Sequence, residues 1–285
     1  GVTAIFAWYA LAPAPPSMAD ASVSRRSEIT AIIRRGAPLS AMPKIEPVRY
    51  YAVSRDDARL INAAIPFASR SNPAASPFRL ALLDDQGARA IDCLAAAAWY
   101  EAGNDAIGQQ AVVQVVLNRV RNAAFPKTVC GVVFQGSERV TGCQFSFTCD
   151  HAMRRIPSAP AWENARRSAI AGLRGLIFAP VGLATHYHTD WVVPYWSSSV
   201  DKTAQIHTHL FFRWRGSAGD PAAFNGRYSN EEPVIAALAH LSAAHARIAQ
   251  LPVLAQDAQL TAPAATESQV TATSVAPALL RGNSL

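Results

Sequence analysis

The run Cys93-Leu-Ala-Ala-Ala-Ala-Trp-Tyr100 is almost wholly apolar and leads straight into Glu101 and a Gly103-Asn104 break. Ile91, Leu94, Ala95 and Ala98 fall at helical spacing, so residues 90–101 read as a helix with a stop signal behind it. Such a helix needs a core, and the composition provides one: 50% of the 285 residues are hydrophobic and 16% are charged. Disordered chains show the opposite balance, so wholesale disorder is excluded. Nineteen prolines and 15 glycines without a period exclude collagen, coiled coils and one long bundle. No run approaches the roughly 18 apolar residues of a spanning helix.

The densest segment is 88–216. Asp105 can cap a second helix, with Ile107, Ala111, Val115 and Asn118 on one face and Val112, Val116 and Val120 on another. Ala-Ala-Phe-Pro126 ends it. Residues 130–149 are turn-rich, with Gly131, Gly136 and Gly142. Pro160 starts a third helix over about 161–175, with Trp162, Ala165, Ala169 and Leu173 at core spacing. Residues 184–196 are aromatic and polar. Ala204 to Trp214 alternates as a strand does, Ile206, Thr208, Leu210 and Phe212 against His207, His209, Phe211 and Arg213. The expected fold class is α+β, mainly helical, with a small hairpin or sheet.

The flanks read differently. Residues 13–77 are rich in Ala, Pro, Ser and Arg, with only short apolar runs such as Val48 to Val53, and read as a linker or arm. Residues 217–230 form a Gly/Asn/Ser/Pro break, then a short helical stretch from Pro233 to about Gln250, then an Ala/Thr/Pro/Ser tail expected to be disordered. The expected division is 1–77, 78–216 and 217–285. The first twelve residues match the length of a signal-peptide apolar region, with Ala10-Leu11-Ala12 as a small-x-small site, but no Met or basic start precedes them. Cys93, Cys130, Cys143 and Cys149 all fall within 57 residues and lack zinc-type spacing. An even number in one region suits two disulfides and an oxidising compartment. Of the three pairings, Cys130–Cys143 with Cys93–Cys149 is preferred, because the first ties off the turn-rich loop. The expected location is the periplasm or cell envelope, with membrane anchoring through the N-terminus as an option. The net charge is +6 with no block of five or six like charges, so no nucleic-acid arm is indicated.

Glu101 stands out for chemistry. A carboxyl at the end of an apolar helix, with Trp99 and Tyr100 beside it, loses hydration, which favours the protonated form that a general acid needs. The ordinary alternative is a surface glutamate on a last turn. Thr185-His-Tyr-His-Thr-Asp-Trp-Val-Val-Pro-Tyr-Trp196 sets aromatics among polar groups, as stacking on sugar rings requires. The same residues also suit a plain aromatic core. His186/His188 and His207/His209 are His-x-His pairs, and on a strand each pair faces one side, so each can hold a metal. Asp150 and Asp190 are available oxygen ligands. No His-Glu-x-x-His motif accompanies them. Gln144 and Ser146 share a side if that run is extended, but Ser146 lacks a Gly-x-Ser-x-Gly setting.

Ala98-Trp-Tyr-Glu-Ala102, Gly108 to Val120, Phe125 to Phe134, Gln144 to Asp150 and Ala184 to Asp190 together resemble the SleB-type cell-wall hydrolase family, over about 92–214. The resemblance implies a lysozyme-like catalytic domain that cleaves peptidoglycan glycan strands without a cofactor. It implies Glu101 as the acid/base of a lytic transglycosylase, protonating the oxygen between N-acetylmuramic acid and N-acetylglucosamine. Gln144, Ser146, Tyr187, Tyr195 and Trp196 are then expected to line the glycan groove, with Asp105, Asp150 and Asp190 as possible second carboxylates. Two alternatives stay open: a zinc-dependent muramoyl amidase using His186, His188, His207 and His209, and a non-catalytic peptidoglycan-binding module. One departure stands out. The family commonly reads Glu-Ala-Arg-Gly-Glu where this chain has Glu101-Ala-Gly-Asn-Asp105, which removes a cation near the carboxyl. Asn104 tolerates the left-handed turn conformation that the replaced glycine would take.

Overall fold

The computed structural model describes residues 17–36, 49–82, 84–139 and 142–246; the start of the chain and the tail beyond 246 lie outside them. The mainly helical α+β class is observed. Helices α1 (Met18–Arg35), α2 (Arg55–Ala64), α3 (Asp85–Ala102), α4 (Ala106–Arg121), α5 (Val129–Val133), α6 (Ala159–Leu173) and α7 (Ala243–Ala246) accompany strands β1 (His186–Thr189), β2 (Val200–Ile206) and β3 (His209–Trp214).

Helix α3 is the axis of the core. From Ala90 to Ala98 every residue is buried, on all faces of the helix. Alanine at four consecutive positions, 95–98, lets neighbouring backbones approach closely, and α4, α5 and α6 pack around it. Gly172 serves the same purpose where α6 meets α4, since a Cβ there would stand 2.4 Å from Val113 Cγ1. Side-chain caps start the helices: Asp84 accepts from Gly87 N, Asp105 from Ile107 N, Thr128 from Gly131 N and Ser158 from Ala161 N. Asp92, buried within α3, is paired with Arg166 and Ser242.

The sheet is antiparallel in the order β1-β3-β2, with His186 opposite Phe212 and Val200 opposite Trp214. The alternation from Ala204 to Trp214 therefore spans a hairpin and not one strand. The chain turns at His207-Thr208, where His207 takes φ 52° and its Nδ1 meets Asp105 Oδ2 at 2.7 Å. Alternating polarity cannot register such a turn, because its residues keep the two-residue period.

The cysteines pair as Cys93–Cys130 and Cys143–Cys149, which corrects the preferred pairing. The reason lies in packing: α3 and α5 are neighbours, and Cys93 and Cys130 face each other with Cα atoms 5.2 Å apart. The second bridge closes a six-residue separation within one loop.

Both flanks also differ from expectation. The supposed linker holds α1 and α2, whose Ile29, Ile33, Ala58 and Ile61 form a small second core with Val193. Their Ser17 and Ser54 caps were readable, but the apolar positions are few and Ala/Arg-rich surroundings mask them. The segment after 217 returns to the main core. Glu232 accepts from Val129 N and Cys130 N, both at 2.7 Å, and Leu238 and His245 are buried. The expected helix over 233–250 appears as a 3-10 turn at Ala236–Leu238 and the short α7; residues 247–250 lie outside the described part.

Candidate active site

The C-terminal end of α3 delivers Glu101 to a cavity of about 440 Å³. The turn behind it is fixed from α4. Gly103, at φ 55°, closes the helix by donating to Trp99 O, and buried Gln109 donates from Nε2 to Gly103 O at 2.6 Å. Three further side chains of α4 hold the entry to β1 on the other side of the cavity. Asn118 Nδ2 donates to Gly182 O and Ala184 O, both at 2.8 Å, Gln114 bonds Asn118, and Arg119 Nε donates to Thr185 O at 2.7 Å. Two elements adjacent in the fold thus fix the position of a carboxyl against a strand.

Glu101 is pushed up to about 7, first by burial and also by Asp150; the Tyr187 hydroxyl and the Arg119 guanidinium pull in the opposite direction. Among the described residues lining the cavity it is the single carboxylate. Asp105 is engaged with His207 and Asp190 with Arg59 at 3.5 Å, and Asp150 accepts from Ala152 N; none of the three lines the cavity. Tyr187 faces the carboxyl, yet its buried hydroxyl closes no hydrogen bond of standard geometry. Burial, then the neighbouring carboxylate, raises that hydroxyl well above its ordinary value, so it is a proton donor throughout the working range.

Arg119 is buried, lies over the rings of Phe125 and Phe145 at 5.4 and 5.1 Å, and is lowered to about 10 by burial. With its amide oxygen toward the guanidinium, Gln144 accepts from both terminal nitrogens at 3.2 and 3.3 Å. His186 is held down to about 3 by burial and by Arg119, and His188 to about 4, chiefly by burial. His188 Nδ1 donates to Thr189 O, which leaves Nε2 as a buried acceptor without a partner.

Of the residues expected at the groove, Gln144, Ser146, Tyr187 and Trp196 line this cavity together with Glu101. Tyr195 does not: it stacks on Tyr51 with centroids 4.2 Å apart, beside α1. Trp99 and Tyr100, expected to desolvate Glu101, instead meet Arg155 and Phe147 away from the cavity. Three of the four histidines, His186, His188 and His209, line the cavity with Glu101, though from two faces of the sheet. His186 and His188 pack on Trp196, His207 is at the exposed hairpin turn, and His209 packs on Tyr187 from the opposite sheet face. Among the described residues, the group of three close metal-ligand atoms is Cys93, Cys130 and His245, and its sulfurs are joined to each other.

Sequence reasoning missed Arg119 and Tyr50 as cavity residues, whereas Trp191 lay in the aromatic run expected to stack on sugars. Arg119 sits in the last turn of α4, where a cation is ordinary, so its burial was not readable. Tyr50 had only the short apolar run Val48–Val53 within the arm.

Residues 103–212 match the model of the Cell Wall Hydrolase family, a stretch that begins just past Glu101. A spore cortex-lytic enzyme of Halalkalibacterium halodurans is 32% identical over 123 residues, which is 42% of this chain and 34% of the relative. A spore cortex-lytic enzyme of Bacillus cereus is 30% identical over 123 residues, 42% of this chain and 43% of the relative. The crystal structure of the catalytic domain of the Bacillus cereus SleB protein is 29% identical, covering 44% of this chain and 91% of that one, with a TM-score of 0.36. The chain thus spans well under half the length of the curated relatives it matches. Over residues 103–212 the chain is similar to cell-wall hydrolases, and the relatives it matches there are spore cortex-lytic enzymes.

Proposed function

We propose that this protein cleaves peptidoglycan glycan strands between N-acetylmuramic acid and N-acetylglucosamine as a lytic transglycosylase of lysozyme-like design, with Glu101 as its single acid/base. The carrying observation is Glu101 itself, the single carboxyl among the described residues lining the cavity, held at about 7 by burial. Such a group is substantially protonated near neutral pH and can also act as a base.

In the first half-step Glu101 gives its proton to the glycosidic oxygen as the muramic C1–O bond breaks. In the second, the resulting carboxylate takes the proton of the muramic 6-hydroxyl while that oxygen bonds C1. The 1,6-anhydro end forms, the leaving sugar keeps the first proton, and Glu101 is protonated again. No water is consumed and no metal or cofactor is needed. Arg119 favours the carboxylate stage by its positive charge. Tyr187 Oη, which faces Glu101, and His188 Nε2, buried without a partner, offer a donor and an acceptor to sugar hydroxyl or acetamido groups. Gln144, Ser146 and Trp196 line the same groove. The cell envelope is the setting this substrate requires, and two disulfides suit it.

The test is digestion of purified peptidoglycan by wild type and by Glu101→Gln, with products read by mass spectrometry. Anhydro-muropeptides from wild type alone, unaffected by chelators, are expected. Reducing ends would redirect the reading to hydrolysis. Free peptides with chelator sensitivity would move the chemistry to the histidines, and sacculus binding without release would leave a binding module.

A further inference from the structure

The cavity has a wall that comes from outside the stretch matching the family. Residues 49–51 lie antiparallel to the 193–195 loop: Tyr195 N donates to Arg49 O and Tyr51 N to Val193 O, both at 2.9 Å, and Tyr50 bridges Pro194. Side chains alternate along an extended segment. Tyr51 accordingly turns to the α1–α2 core and stacks on Tyr195, whereas Tyr50 lines the Glu101 cavity with 51% of its surface exposed. Its hydroxyl is raised by burial and by the field of Glu101, which places it within electrostatic range of the reacting carboxyl.

The loop that the segment pairs with is tied to α2. Asn62 of α2 donates from Nδ2 to Asp190 O at 2.7 Å and to Val192 O at 2.9 Å, and Lys202 Nζ donates to Asn62 O at 2.9 Å. Val193 is fully buried in the α1–α2 core. The N-terminal helices therefore brace the loop that carries Trp191 and Pro194 into the cavity and set an aromatic ring opposite it. An aromatic with a free face, fixed by backbone hydrogen bonds, suits the apolar C–H face of a pyranose and adds little ordering cost on binding.

We propose that the 49–51 segment, braced by α1 and α2, adds a sugar-binding subsite to the cavity, in which Tyr50 stacks a pyranose ring of the same glycan strand away from the scissile bond. This rests on the proposed glycan-strand activity.

The experiment measures binding of peptide-free glycan strands of graded length to the full chain in a Glu101→Gln background, with Tyr50, Tyr50→Ala and Tyr50→Phe. Tyr50→Ala is expected to weaken binding of long strands by about five-fold or more and to flatten the dependence on strand length. Tyr50→Phe keeps the stacking face and is expected to bind like its parent. An unchanged melting temperature in Tyr50→Ala excludes a folding cause. Equal affinity of Tyr50→Ala and parent, or a loss in Tyr50→Phe as large as in Tyr50→Ala, overturns the subsite. If wild type releases no sugar product, the underlying activity has failed, and that result is separate from these binding curves.

Discussion

At the scale of a residue, the proposed chemistry turns on where one proton sits. Glu101 is held at about 7 by burial, so its protonated fraction falls as pH rises through that value. A general acid must start protonated, and kcat/KM on glycan strands should therefore fall about tenfold per pH unit above about 7. Arg119 of α4 supplies a cation near this carboxyl. Arg119 favours the carboxylate, so its loss should raise Glu101 further and move the alkaline limb to higher pH. Arg119→Met is the variant to use, because it keeps the aliphatic packing between Phe125 and Phe145. It should also cost about 1–3 kcal/mol of stability by leaving Thr185 O without its donor. A limb that stays put or moves down would remove Arg119 from the electrostatics of the site. Glu101 was legible because its whole neighbourhood is local: an apolar helix, a stop and a carboxyl. Arg119 was hidden because its partners, Thr185 and Gln144, lie 66 and 25 residues away.

At the scale of an element, the core helices α3, α4 and α6 were legible, whereas α1, α2 and the connections were not. The expected helix over 90–101 is the C-terminal part of α3, and the expected 161–175 lies within two residues of α6 at each end. Periodicity and caps are local signals, so they survive without knowledge of the fold. Cysteine pairing depends on which elements meet, and spacing alone does not reveal it. The two bridges should differ in role. Cys93–Cys130 joins two packed helices across 37 residues, and opening it by Cys93→Ala with Cys130→Ala should cost about 3–4 kcal/mol in denaturant unfolding. Cys143–Cys149 spans six residues and should cost about 2 kcal/mol. Its loop, however, carries Gln144, Phe145 and Ser146 into the cavity, so Cys143→Ala with Cys149→Ala should raise KM by a larger factor than the helix pair. The reverse order of KM effects would show that the loop keeps its shape without the bridge.

At the scale of the molecule, a family-matching segment is enclosed by the chain on both sides. The N-terminal helices brace the 190–196 loop, and residues 228–246 close over α3 and α5. Composition concealed both, because Ala-, Pro- and Ser-rich stretches resemble linkers when their few apolar residues are not seen against a partner surface. Glu232 is the clearest case. An exposed-looking Glu231-Glu232 pair between Asn230 and Pro233 gives no hint that the second carboxylate is buried, accepts two backbone N–H groups at the start of α5, and accepts the Tyr228 hydroxyl at 2.8 Å. Truncating it leaves two buried donors unpaired, which costs about 3 kcal/mol. Leu238, fully buried in the main core, should cost about 2–5 kcal/mol as Leu238→Ala. If the returning segment is part of the folded unit, Glu232→Ala and Leu238→Ala each lower the midpoint of a single cooperative unfolding transition in the full-length chain. If the segment were a detachable linker, both variants would unfold with the wild-type midpoint.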